Sequence, residues 1–372
     1  MEAVALSESI DTQIGGTDSP APSALDKKGL HNRLQRILHY DVNVSNLERA
    51  REWIESITPL RVVAETSADQ AFPSLGMERG RFEGFMMRDA TKGAALRELS
   101  QVCMLHVVEW KDPAPAGTPY VSQANVGWYR INVLTEDYEE SVRACVAQGS
   151  HPFAPPLTEA QATEAAIPFR PGEAPRSGGY RPFCVHDPDG ITWEFEPASP
   201  DFGGVGQVPL FVAHNTSDVD RYLSFYTEAL GLDFLCPSQP QEPVKNIYSP
   251  IGGTANWSGA MFALRGGPPS FDWLEWDTSR EFATPYEFHN HLGVIRLAME
   301  VDDLDAAYRT LERSSWARDH RIVLGPPEVW DYGAQFGTRE VLNFANPEGV
   351  FFQLHQQVRS EATLHPWDAP TP

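Results

Sequence analysis

The chain has few cysteines, and none lies in a metal-binding or disulfide pattern. Its 372 residues include four cysteines without a C-x-x-C pair, at Cys103, Cys145, Cys184 and Cys236. Zinc ribbons need closely paired cysteines, and disulfide frameworks are typical of short secreted chains. The cysteine pattern therefore argues against both scaffolds and favours a reducing compartment.

Positive charge is also scarce. The chain has 29 Lys and Arg residues against 51 Asp and Glu residues, which gives a formal net charge of −22. A field of this sign repels nucleic-acid phosphates and anionic lipid headgroups. We therefore expect a small-molecule partner, with no nucleic-acid partner and no membrane partner.

Long hydrophobic runs are missing from the sequence. No stretch approaches the roughly 18 apolar residues of a membrane span, and the N-terminus has neither a basic region nor an apolar region of a signal peptide. The apolar fraction of 41% is that of a folded globular protein. We expect a cytoplasmic protein with material for two or three domains.

One local pattern occurs four times at intervals of about 85 residues: an alternating strand, a polar capping residue and an amphipathic helix. The copies begin at His39, Trp128, Phe211 and Arg296. In the first copy, Ser45 and Glu48 have the spacing of a capping box. Further short strands follow each helix, so each repeat is a βαβββ unit.

Pairs of consecutive units predict the domain organisation. Two such units curl their strands into a cupped sheet, and a Pro/Gly-rich stretch at 197–207 separates the two pairs. The predicted fold class is α+β, with two domains that are each a cupped, partly closed mixed sheet with helices outside. The predicted segments are a flexible tail at 1–33, a metal-bearing domain at 34–200, a second domain at 207–358 and a tail at 359–372.

This arrangement resembles the vicinal oxygen chelate superfamily, which includes glyoxalases, methylmalonyl-CoA epimerases, bleomycin-binding proteins and ring-cleaving dioxygenases. The resemblance covers about residues 37–197 and 208–357. It is carried by His39 with residues 44–49, by the strand at 105–113, by the Asp-Pro-Asp-Gly turn at 187–190 with Glu194, and by residues 217–226. An Asn-Pro-Glu-Gly turn stands at the matching place, 346–349.

The resemblance implies a metal site, because family ligands come from the first and last strands of each unit. The corresponding positions of the first domain are His39, His106, Trp128 and Glu194. Trp128 cannot bind metal, so the implied ligands are His39, His106 and Glu194, with zinc as the first choice and manganese, nickel or iron as others. The second domain has Phe211, Asp272, Arg296 and Gln353 at these positions and is degenerate.

Strand alternation supports a polar pocket independently of the family. Asp41 shares a face of its strand with His39, and Arg130 shares one with Trp128. Glu194 and Glu196 likewise point to one side. So many polar side chains on inward faces are unusual for a core and typical of a ligand site. His214 and His355 are predicted to be structural.

The resemblance implies chemistry in which a carbonyl and a neighbouring hydroxyl chelate the metal while a base removes the adjacent proton. The acid/base candidates are Asp41, Glu196 and Tyr180, with Arg130 stabilising the oxyanion and Glu194 itself able to move a proton. Among the branches, the chain is similar to sugar-cyclitol epimerases of the 2-epi-5-epi-valiolone type. This branch implies a neutral polyhydroxylated ketone as substrate, and many superfamily members form homodimers.

Two other functions and one other topology stay open. The same residues suit an Fe(II)-dependent dioxygenase of catechol-like substrates. Alternatively, the chain is a metal-free binding or resistance protein. The sequence does not determine which units pair: if the first unit pairs with the fourth, His39 and His106 meet Arg296 and Gln353, and Glu194 is separated from them.

Overall fold

The computed structural model describes residues 29–89, 104–120, 122–123, 125–135, 137–153, 182–197, 210–238, 244–245, 248, 253–264, 269–277, 284–319 and 321–357. Tyr180, most of the predicted N-terminal tail and all of the predicted C-terminal tail lie outside these ranges. Among the described residues, no helix combines the length and apolarity that a membrane crossing requires.

Each of the four predicted units begins with a strand and a helix. The first has β1 (Leu34–Asn43), α1 (Leu47–Ile57), β2 (Leu60–Phe72), a 3-10 turn (Pro73–Leu75), β3 (Met77–Asp89) and β4 (Met104–Asp112). The second has β5 (Gly127–Thr135), α2 (Tyr138–Ala147), β6 (Phe183–His186) and β7 (Thr192–Pro197). These bounds confirm the predicted repeat in the first half of the chain.

The second half repeats the order. The third unit has β8 (Leu210–Asn215), α3 (Val219–Ser224) continued by a π-helical turn (Phe225–Ala229), β9 (Asp233–Pro237), β10 (Val244–Lys245), β11 (Thr254–Ala255), β12 (Trp257–Ala263) and β13 (Pro269–Trp276). The fourth has β14 (Gly293–Val301), α4 (Leu304–Glu312), α5 (Ser315–Arg318), β15 (Val323–Leu324), β16 (Glu328–Asp331), β17 (Thr338–Ala345) and β18 (Phe351–Gln357).

The four main helices begin in the same way. The N-caps of α1 to α4 are Asn46, Asp137, Asp218 and Asp303, and each side chain accepts a hydrogen bond from the backbone N–H three residues later. Such a bond satisfies one of the free N–H groups of the first turn. Asn46, and not the predicted Ser45, caps α1, because the Ser45 hydroxyl donates to Asp189 instead.

The strands form two large mixed sheets, each built from two units that are not those predicted to pair. The nine-stranded sheet has the order β15-β17-β18-β14-β1-β4-β3-β2, with β16 beside β17, and so joins the first and fourth units. The seven-stranded sheet has the order β6-β7-β5-β8-β13-β12-β9 and joins the second and third units. We call them the 1–4 cup and the 2–3 cup. The predicted division at 34–200 and 207–358 does not correspond to these cups.

The alternative pairing follows from contacts between central strands. β1 runs antiparallel to β14, with Asp41 opposite Arg296, and β5 runs antiparallel to β8. Every unit offers a similar first strand, so local alternation does not specify the partner. The fold class itself, α+β with four βαβββ units in two cupped sheets, is confirmed.

Matched turns join the two cups. Asp189, in the Asp-Pro-Asp-Gly turn, accepts hydrogen bonds from the Ser45 N–H at 2.9 Å and the Ser45 hydroxyl at 2.5 Å. Glu348, in the Asn-Pro-Glu-Gly turn, accepts from the Ser217 N–H and hydroxyl, both at 2.7 Å. Each carboxylate thus holds the strand-to-helix junction of the other cup. Trp128 lies in the core between the cups and donates to the Phe351 carbonyl.

Candidate metal centre

The 1–4 cup brings together His39, Asp41 and His106. His39 and Asp41 are alternate residues of β1, and His106 lies beside Asp41 on the parallel strand β4. Oδ1 of Asp41 lies 3.1 Å from Nε2 of His39 and 2.6 Å from Nδ1 of His106. The three residues are 0%, 1% and 1% exposed. They are the one cluster of metal-ligating side chains found within the described ranges.

His39 is a fully buried imidazole beside the carboxylate of Asp41. Neither ring nitrogen has a hydrogen-bond partner among the described residues. Burial lowers the pKa of His39 to about 4, against the opposing charge of Asp41. The ring is therefore neutral at neutral pH and keeps a lone pair, which is the form that binds metal. Buried polar atoms of this kind are rare unless an ion, water or ligand completes the site.

Asp41 supplies the negative charge of the cluster. Burial opposes its ionisation, but Arg296 and the two histidines hold the pKa of Asp41 well below its usual range. Nε of Arg296 donates to Oδ2 of Asp41, so that Oδ1 faces the histidines. The carboxylate is thereby both ionised and oriented.

His106 is held at both ring nitrogens. Nδ1 faces Asp41, and Nε2 lies 2.9 Å from the hydroxyl oxygen of Thr66 on β2. Gly84 on β3 leaves room for this contact, because a Cβ there would lie 2.8 Å from the Thr66 hydroxyl and 2.6 Å from the Val107 carbonyl. A metal-binding histidine usually has its second nitrogen fixed in this way.

The donor set fits a divalent metal ion. Neighbouring ligands around an ion with bonds of about 2.1 Å lie roughly 3 Å apart, and the Asp41 oxygen has comparable separations from the two histidine nitrogens. Two imidazoles and one carboxylate suit zinc, manganese, nickel or iron. His39, Asp41 and His106 could therefore hold one such ion.

Other polar groups of the 1–4 cup lie near His39. The rings of His39 and His355 are 5.2 Å apart, and Nε2 of His355 lies 2.5 Å from Oε1 of Gln353. Burial holds the pKa of His355 well below its usual range, so this ring is also neutral. Phe336 packs edge-on against His39 at 6.2 Å. The predicted structural histidine His355 thus borders the cluster.

The remaining predicted site residues that are described lie in the other cup. Arg130 is on β5, and Glu194 and Glu196 are on β7 of the 2–3 cup. Nε of Arg130 donates to Glu194, and its guanidinium stands 4.6 Å from the Tyr248 ring. The structure therefore brings His39 and His106 together without Glu194. The predicted equivalence of Trp128 and Arg296 also needs correction.

The register of the sheets shows which residue is equivalent to Arg296. Arg130 pairs with the first residue of β7, and Arg296 pairs with the first residue of β18. Arg130 is therefore the counterpart of Arg296, and Trp128 is a core residue. The sequence predicts an acid/base role for Asp41 and not a ligand role, and no sequence pattern points to Thr66. The alternation that places His39 and Asp41 on one face was the available signal for the ligand.

Comparisons with known proteins support the fold. No protein-family model matches the chain, and no curated protein does. Glyoxalase I from Zea mays is 11% identical, with a TM-score of 0.55 over 87% of this chain and 93% of that chain. A mutant of that enzyme with a glutamate-to-glutamine change is 12% identical, with a TM-score of 0.53 over 87% and 95%. A valine-to-glutamate mutant is 13% identical, with a TM-score of 0.54 over 86% and 92%. The likeness spans both cups and shows that the chain has a glyoxalase-like fold.

Proposed function

We propose that the chain is a metal-dependent enzyme of the vicinal oxygen chelate type. One divalent ion would be held by His39, Asp41 and His106, with zinc as the first choice and manganese, nickel or iron as others. The observation that carries the proposal is the buried, neutral His39 ring, which has no described hydrogen-bond partner and faces the ionised Asp41. The substrate would be a small molecule with a carbonyl next to a hydroxyl.

The reaction we propose is proton transfer at the carbon beside that carbonyl, as in an isomerase or epimerase. A bound divalent cation would polarise the two substrate oxygens and lower the cost of negative charge on them. His355 is our choice of base, because it is neutral and its Nδ1 has no described hydrogen-bond partner. Gln353 fixes the ring through Nε2. Nη1 of Arg296 is buried without a described partner and could donate to the developing oxyanion.

This assignment replaces the acid/base set drawn from the sequence. Glu194, Glu196 and Arg130 lie on the other sheet, and Tyr180 lies outside the described residues. The cyclitol-epimerase branch and the homodimer stay predictions. The site is also compatible with an Fe(II) dioxygenase, because two histidines and one carboxylate form the usual iron-binding set of such enzymes. Oxygen consumption that accompanies turnover would identify the dioxygenase.

Metal content tests the proposal. We would measure metal by plasma mass spectrometry in the parent and in the variants H39A, D41N and H106A, each checked for folding by circular dichroism. E194Q is the matched control, because it alters the one predicted ligand that lies in the other cup. We expect about one metal per chain in the parent and in E194Q, and a clear loss in the other three. No metal in the reconstituted parent, or loss in E194Q, would contradict the proposed site.

A further inference from the structure

Arg339 is a buried cation that forms no salt bridge with any described residue. It lies on β17 and is 1% exposed. Its Nε and Nη1 atoms are buried and form no hydrogen bond with any residue that the structure describes. A guanidinium stays protonated at neutral pH. Because an unpaired buried charge is costly, such a group in a native protein indicates a missing partner.

The guanidinium of Arg339 faces the cup that holds the candidate metal site. Its central carbon lies 4.7 Å from the ring of Phe336, and the same ring packs against His39. The charge of Arg339 also contributes to the lowered pKa of His355. Arg339 is thus one aromatic ring away from a candidate ligand and close to the candidate base.

The nearby carboxylate of Glu300 is hydrogen-bonded to a different arginine. It stabilises the charge of Arg339 electrostatically, but its Oε2 accepts hydrogen bonds from Arg36 at 2.8 and 2.5 Å. Asp41, a fully buried acid of this cup, is bound by Arg296. Among the described residues, this cup has three buried arginines, Arg88, Arg296 and Arg339, and one buried carboxylate, Asp41. The buried charged groups described here are mostly cationic, although the chain as a whole has a net charge of −22.

We propose that Arg339 binds an anionic group of the substrate, and that this group is a carboxylate. A guanidinium presents parallel N–H donors that match a carboxylate in two hydrogen bonds, and burial strengthens that pairing. This inference rests on the proposed function and narrows its substrate class to hydroxy acids or keto acids. It differs from the neutral polyhydroxylated ketone that the family resemblance implies, because a neutral ketone would leave Arg339 without a hydrogen-bonded anion.

Binding of two matched probes tests the inference. Glycerate and glycerol share a three-carbon skeleton and differ in one carboxylate. We would titrate each into the metal-loaded protein and the metal-free protein by calorimetry, using the parent, R339M, R339K and the control R79M. Arg79 is exposed and pairs with Asp69, so its loss should not matter. We expect the parent and R79M to bind glycerate at least about tenfold more tightly than glycerol. R339M should lose this preference, and R339K should keep part of it.

Thermal unfolding separates binding from a structural role. Without ligand, R339M should melt at a higher temperature than the parent, because the substitution removes a buried charge that forms no salt bridge with a described residue. Glycerate should raise the melting temperature of the parent and not that of R339M. The inference is overturned if the parent binds both probes equally or does not bind glycerate. It is also overturned if R339M lowers the melting temperature and keeps the glycerate preference.

The two proposals can fail separately. Metal content of the parent decides the proposed function, and the glycerate preference of the metal-free protein decides the role of Arg339. A protein that holds metal but shows no preference keeps the proposed function and loses this inference. A protein that holds no metal but binds glycerate through Arg339 keeps this inference and loses the proposed function.

Discussion

The hydroxyl of Thr66 lies 2.9 Å from Nε2 of His106, on the side of the ring opposite Asp41. Because both nitrogens are engaged, the ring has a fixed orientation and Nδ1 is directed at the Asp41 oxygen. Thr66 is thus a positioning residue for a candidate ligand. It reaches His106 only because the neighbouring strand carries Gly84.

We predict that Thr66→Val weakens metal binding by about 10- to 100-fold, the usual cost of removing such a partner. The change keeps the shape of the side chain and removes the hydroxyl, so that the His106 ring can turn. Competition with a fluorescent chelator would measure the affinity. Ser67→Ala is the control, because Ser67 is exposed on the same strand. Equal affinities of Thr66→Val and the parent would contradict this role.

Phe336 is a buried aromatic residue beside the cluster. Its side chain is 3% exposed and covers His39. It belongs to a turn at 333–337 that begins and ends with a positive-φ glycine, Gly333 and Gly337. Ala334 and Gln335, on the same turn, are exposed. The turn therefore separates the candidate metal site from solvent.

We predict that Phe336→Leu speeds both the loading and the release of metal, by similar factors, and changes the dissociation constant little. Leucine preserves apolar packing at lower cost than alanine, which would remove several kcal/mol in a core. Stopped-flow absorption of cobalt would give both rates. Phe72→Leu is the control, because Phe72 is buried in the same aromatic cluster and packs on Trp110 and Trp330. Unchanged rates in Phe336→Leu would show that the metal reaches the site by a route that does not pass Phe336.

The sequence predicts the local elements of this fold well. The four strand-to-helix junctions, the two Pro-Gly turns and the inward-facing His39 and His106 all follow from short-range patterns. Gly190 and Gly349 both have positive φ and donate to the first residue of their turns, as those motifs predict. Such features depend on neighbours in the chain, which the sequence displays directly.

The choice of the third candidate ligand shows the limit of local pattern. Whether Glu194 can reach the two histidines depends on which units pair, and every first strand has a similar alternation. The interactions that accompany the pairing, such as Arg36 with Glu300, join residues of the first and fourth units. Glu194 matched a family position but lies in the 2–3 cup, whereas Asp41 was already beside His39 on β1. Asp41 and Glu194 lie in different cups because of the pairing between distant units, which the local pattern does not determine.

Buried histidines should make the protein sensitive to acid. Burial lowers the pKa of His214 to about 3, among the rings of Trp128 and Phe271. The unfolded chain binds this proton near pH 6.5, so stability is lost as the pH falls from about 6.5 towards 3. Between pH 7.5 and pH 5, the unfolding free energy of the parent should fall by about 2 kcal/mol more than that of His214→Phe. Urea unfolding at both values would test this. His151→Gln, at an exposed position, should keep the parent's pH dependence.

Asp187 should have the opposite effect on pH dependence. Burial raises its pKa to about 7, while its Oδ1 accepts hydrogen bonds from the N–H groups of Asp189 and Ile191. Asn346 makes the same two bonds in the matching turn without a charge. The unfolded Asp187 ionises near pH 4, so its contribution to stability is lost as the pH rises from about 4 to 7. Asp187→Asn should therefore gain stability relative to the parent over that range, by up to about 4 kcal/mol. Urea unfolding at several pH values would give the unfolding free energy of both proteins. A constant difference between the two free energies from pH 4 to pH 7 would show that this carboxyl is ionised in the folded state.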